Sequence, residues 1–164
     1  MQKLRSIANV VVTLGPVGYL PFASVLAAAL AIPLVYFMDM LIWVMNSLYP
    51  GIYMVLLVFV AALLFFSSMG NDKQRPPRNA LVVTHVYGML LVFSGIMINI
   101  KFLVTGYVLF VLLSYALPRL LVRFAKIDCT TWPLLLSFLF VDCAAGLFVN
   151  FIFRFVFWLV TMPG

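Results

Sequence analysis

The sequence predicts an all-α membrane protein, a polytopic bundle of about five transmembrane helices behind an N-terminal re-entrant or interfacial segment. Three observations carry this. Of the 164 residues, 66% are hydrophobic and 9% charged, far outside the composition of a soluble domain. The apolar residues fall in runs of about 20, the length a helix needs to cross hydrocarbon. The basic residues stand in the short segments between those runs. Residues 1–164 read as one integral membrane domain, with 1–21 as a broken N-terminal segment and 22–160 as the helix bundle.

Taken in order, SIANVVVTLGPVGYLP is apolar but too short and too interrupted to span. Gly15, Pro16, Gly18 and Pro21 also break the continuous apolar stretch that a cleaved signal peptide needs. The first helix is expected from about Phe22 to Leu48, kinked at Pro33. Tyr49, Pro50 and Gly51 end it, and a second runs from Ile52 to Met69. GNDKQRPPRN (70–79) has loop composition. The third helix is expected over Ala80–Ile100 and the fourth over Phe102 to about Pro118. A basic linker with Arg119, Arg123, Lys126 and Asp128 follows. The fifth opens at Pro133, a favoured first-turn residue, and runs to about Val160.

With five spans, the N-terminus (Lys3, Arg5), the 70–79 loop (Lys73, Arg75, Arg78) and the linker (Arg119, Arg123, Lys126) share one face. They hold eight of the ten basic residues. The positive-inside rule makes that face cytoplasmic, with the N-terminus inside and the C-terminus outside. A bacterial inner membrane is the expected location. The net charge of +6 follows topology, so no nucleic-acid partner is expected. Cys129 and Cys143 lack the spacing of a disulfide framework.

Ionisable groups inside a membrane are costly and mark candidate functional sites. At a rise of 1.5 Å per residue, His85 lies roughly 8 Å and Asp142 roughly 14 Å from the cytoplasmic end of their helices. Thr84 adjoins His85, and Ser114 lies near the same end of the fourth helix. Gly18, in the broken segment, would let backbone approach a ligand. These residues and the surrounding cations suggest a cytoplasm-facing pocket for an anionic lipid headgroup. For His85, a ring held by one interhelical hydrogen bond competes with a functional group coupled to Asp142. Taken alone, Thr84 and Ser114 read mostly as hydroxyls bonded to backbone. Asp39, near the outer end of the first helix, is expected to pair with Lys101 or Arg154.

Four segments, in order, resemble the phosphatidylglycerophosphatase A family, from about Asn9 to Phe157. GPVGYLPFASVLAAALAIP (15–33) is similar to its opening Gly/Pro-rich loop and the following helix, and VVTHVYGML (82–90) to its second motif. GYVLFVLLSYALP (106–118) resembles the third through Gly106, Phe110 and Pro118. FVDCAAGL (140–147) resembles the fourth through Asp142, Ala145 and Gly146. The resemblance implies magnesium-dependent hydrolysis of a lipid phosphate monoester. The chain departs from the family where that chemistry resides. Thr84 and His85 stand where the family has adjacent Asp and Glu. Val111, Ser114 and Leu117 replace Arg, Asp and Lys. Val141 precedes Asp142 in place of an Asp pair, and FASVLAAA replaces the Pro-Gly-Thr and Gly-Ser character of the opening loop.

Elementary chemistry agrees with this reading. Magnesium takes hard oxygen ligands, usually one or two carboxylates with phosphate and waters. The chain has no glutamate and four aspartates, Asp39, Asp72, Asp128 and Asp142, of which only Asp142 is well placed. The expected function is therefore an inactive family relative with a structural or lipid-binding role, alone or beside a membrane-protein partner, with no cofactor. A divergent working phosphatase using Asp142, His85 and Ser114 with Mg²⁺ is the alternative. A proton or small-solute pathway through His85 and Asp142 is a third.

Overall fold

The computed structural model describes residues 2–44, 49–68, 82–96, 99–125 and 137–161, all of them helical or in short turns. The elements are α1 (Gln2–Val12), a 3-10 turn (Gly15–Tyr19), α2 (Ala23–Val44), α3 (Tyr49–Ser68), α4 (Val83–Val92) and α5 (Ile100–Leu120). A π-helical turn (Leu121–Ala125) extends α5, and a π-helical stretch (Phe138–Cys143) leads into α6 (Ala144–Thr161).

The short helix α4 is the centre of the bundle. Tyr87, Gly88, Met89, Leu90, Leu91 and Val92 are all buried in it, with α2, α3, α5 and α6 packed around it. Close approach is built into the sequence. On α2 the face toward the core is Ala27, Ala28 and Ala31, small enough for backbones to draw together. On α4 and α6, Gly88 and Gly146 meet. A Cβ on Gly146 would overlap the Gly88 carbonyl, and one on Gly88 would lie 2.8 Å from the carbonyl oxygen of Asp142. A Cβ on Gly106 of α5 would press on the rings of Phe93 and Phe153.

Tyrosine hydroxyls tie the helices where no water would serve them. Tyr53 donates to the Leu90 carbonyl (3.2 Å) and Tyr87 to the Tyr53 carbonyl (3.0 Å), joining α3 to α4. Tyr107 donates to Val25 (3.2 Å), joining α5 to α2. The outer surface is apolar: Val55 and Phe59 on α3, and Phe151, Phe155 and Trp158 on α6, are exposed. Such a surface suits lipid contact. Three helices are long and apolar enough to cross a membrane, within Ala23–Met40, Ile100–Phe124 and Phe138–Thr161, and Gly51–Ser67 and Val83–Val92 are shorter apolar helices.

Several expected boundaries change. The N-terminal segment is broken only in its second half, because 2–12 form the regular helix α1. Ser67 of α3 donates to the Asn9 side chain of α1 at 2.7 Å. The break itself is a left-handed pair, Leu14 (φ 49°) and Gly15 (φ 62°). Of the third expected helix, 80–100, the described residues form a regular helix over Val83–Val92, after which Gly95 (φ 68°) turns the chain. Arg119 and Arg123 are not in a linker: helix continues through Pro118 and widens at Leu121–Ala125. Pro118 removes the amide that would bond the Ser114 carbonyl, and the wider turn follows directly.

Candidate functional site

Asp142 sits in the π-helical stretch before α6. One extra residue in a turn re-aims the side chains that follow, and π turns gather at functional sites. Here the carboxylate is carried to α4, where Asp142 Oδ1 lies 3.7 Å from His85 Nε2. Asp142 is 6% exposed, and its Oδ1 accepts no hydrogen bond from the described residues. The separation is too long for a hydrogen bond, so the pair is an electrostatic contact with an acceptor still unsatisfied.

The imidazole is held on its other sides. Its Nδ1 is 3.3 Å from the Thr84 hydroxyl, and Phe110 of α5 meets it edge-on with centroids 6.4 Å apart. Gly88, one turn further along α4, lets Phe110 and the Asp142 backbone come this near. Thr84 is buried while the His85 side chain is 22% exposed. The ring therefore has a buried carboxylate on one edge and a route outward on another.

Other sequence candidates fall differently. Ser114 is buried, one turn beyond Phe110, and its hydroxyl donates to the Val111 carbonyl at 3.0 Å. Gly18 is buried in the 3-10 turn, where its amide donates to Thr13 at 2.9 Å. That turn packs on α1 and α2. The link from this segment to α4 is the Val82 amide on the Val12 carbonyl, 3.1 Å. Arg119 and Arg123 are exposed at the end of α5, and the Arg123 guanidinium lies 5.9 Å from the Phe124 ring centre. Lys73, Arg75 and Arg78 lie outside the described residues.

The residues that sequence reading missed lie at the other end of α4. Asn150 Nδ2 donates to the carbonyls of Leu91 (3.2 Å), Val92 (2.9 Å) and Ser94 (2.9 Å). Arg154 Nε donates to Asn150 Oδ1 (2.8 Å) and its Nη2 to the Ser94 carbonyl (2.9 Å). These donors close the end of a helix that stops among apolar side chains. The signal was available: polar residues at i and i+4 in LFVNFIFRF share a helix face. Arg154 is thus spent on a helix end and not on Asp39, which makes no ion pair among the described residues.

As a donor set, the site offers one carboxylate, one imidazole, the Thr84 hydroxyl and a Ser114 hydroxyl already committed to backbone. This does not fit a magnesium centre, which takes mainly oxygen ligands around a phosphate. Among the described residues no three His, Cys, Asp or Glu side chains gather as a metal site would require. The arrangement suits an imidazole oriented by an acidic neighbour, able to bond an anionic oxygen.

Fold and site together define a helical protein with three helices long and apolar enough to cross a membrane and a close contact between His85 and the buried Asp142. No protein-family model, curated protein or solved structure matches the chain.

Proposed function

We propose that the chain is a phosphatidylglycerophosphatase A-like membrane protein that binds anionic lipid phosphate, or serves structurally in a membrane complex, without hydrolysing the ester. In this reading the chain passes the bilayer five times, once through the 80–100 segment whose ten-residue α4 is too short to span alone, with the N-terminus and the His85 end toward the cytoplasm. The observation that carries it is the solitary carboxylate: Asp142 meets His85 at 3.7 Å with no second acid beside them among the described residues. The glycines of the quoted motifs, Gly88, Gly106 and Gly146, support the resemblance, since each stands where a Cβ would collide with a neighbouring helix. His85, Arg119 and Arg123 supply the positive and hydrogen-bonding character that a lipid phosphate needs.

A working phosphatase is the second reading, favoured by the imidazole held between Thr84 and Asp142. Such bracketing positions a general base. Phosphate release from phosphatidylglycerophosphate by the purified protein, with Mg²⁺ present, separates the two. Binding of the lipid without release supports the first; release that disappears in Asp142→Asn supports the second.

A further inference from the structure

We propose that a second lipid site lies at the opposite end of the bundle: a cleft between the α4–α5 turn and α6 takes an acyl chain of an anionic phospholipid whose phosphodiester binds Arg154. The cleft has a volume of about 410 Å³ and is lined by Gly95, Ile96, Phe102, Phe153, Arg154 and Phe157. Its wall is aromatic, with Phe102 and Phe153 edge-to-face at 5.5 Å. A free phosphate ion would gain nothing from such a wall, whereas an acyl chain gains contact along all of it.

Arg154 supplies the charge complementarity. A guanidinium has five N–H donors. Its bonds to Asn150 and to the Ser94 carbonyl fix its plane and leave the remaining donors without a partner among the described residues. No carboxylate of the described residues pairs with it, and a charge in apolar surroundings is costly until it is paired. Lys101, the residue before Phe102 in the chain and exposed, is a further cation at this end of α5. That favours a net-anionic headgroup over a zwitterionic one, whose own cation would be repelled. The planar fork matches phosphate oxygens in a way one ammonium cannot.

Position agrees with a leaflet. Arg154 follows Asp142 by twelve residues on one helical run, about 18 Å along the axis. In hydrocarbon about 30 Å thick, the two groups fall in opposite halves, each within reach of its own headgroup layer. The outer-end site is therefore separate from His85 and Asp142 and stands without the function proposed for them.

The test is native mass spectrometry of the purified full chain, titrated with phosphatidylglycerol or with phosphatidylcholine of the same acyl chains. The wild type is expected to retain phosphatidylglycerol in preference. Arg154→Gln is expected to weaken that retention about tenfold, as loss of a charge-assisted contact does. Ile96→Trp, which fills the cleft and spares the bonds of Arg154, is expected to weaken it too, and decides the matter if Arg154→Gln does not fold. Gly51→Ala on α3, where an added Cβ meets no neighbour, is expected to retain lipid as the wild type does. Equal retention of both lipids, wild-type retention in Ile96→Trp or in folded Arg154→Gln, or loss in Gly51→Ala would overturn the proposal.

Discussion

His85 on α4 and Asp142 on the π-helical stretch before α6 approach to 3.7 Å, and the buried Asp142 oxygen in that contact accepts no hydrogen bond from the described residues. The carboxylate depends on the ring beside it. Removing the ring in His85→Ala strands a buried acid and is expected to cost about 1–3 kcal/mol. Asp142→Asn replaces the acid by a neutral amide and should cost less. The double variant should show a coupling of about 1 kcal/mol in thermal unfolding of the detergent-solubilised protein. Strictly additive losses would make the contact incidental.

The Gly88–Gly146 crossing gives a steric prediction. A side chain at Gly146 meets backbone, which cannot swing aside, so Gly146→Ala should destabilise by about 1–3 kcal/mol. Gly51 of α3 has nothing within 4 Å of an added Cβ. Gly51→Ala should therefore be neutral or stabilise by up to about 1 kcal/mol. The two melting temperatures, measured side by side, should move apart.

Asn150 offers a third prediction. Asn150→Leu keeps the volume near constant but withdraws the donor from three carbonyls at the end of α4 and frees the Arg154 fork. A loss of about 1–3 kcal/mol is expected for the stranded acceptors. Hydrogen exchange should rise at the last turn of α4 and not at α2. Unchanged exchange there would show that the cap is dispensable.

Topology is open to direct measurement. In a background with Cys129→Ser and Cys143→Ala, single cysteines at Arg75 and Lys126 should react with an impermeant thiol reagent only from the cytoplasmic side. A cysteine at Gly164 should react only from outside. Labelling of all three from one side would refute the five-span arrangement and the positive-inside assignment.

Much of the helix order could be read from hydropathy, because runs such as 23–40 and 52–68 leave the chain no other way to satisfy its backbone in lipid. The end of α4 could not. The run stays apolar past Val92, and what stops the helix is Gly95 together with donors from Asn150 and Arg154, remote in sequence. Pro118 misled in the opposite direction, since α5 continues through it and widens afterwards. In the site, the depths of His85 and Asp142 could be estimated from residue rise alone. The π-helical turn that presents Asp142 has no compositional signature, whereas the capture of Ser114 by the Val111 carbonyl is the backbone bonding expected of a helical serine.

The most direct measurement is phosphate release from phosphatidylglycerophosphate in mixed micelles with Mg²⁺, using the wild type and Asp142→Asn. A single carboxylate beside His85 among the described residues predicts lipid binding and no release above a protein-free control for either protein. Sustained turnover by the wild type that vanishes in Asp142→Asn would contradict it.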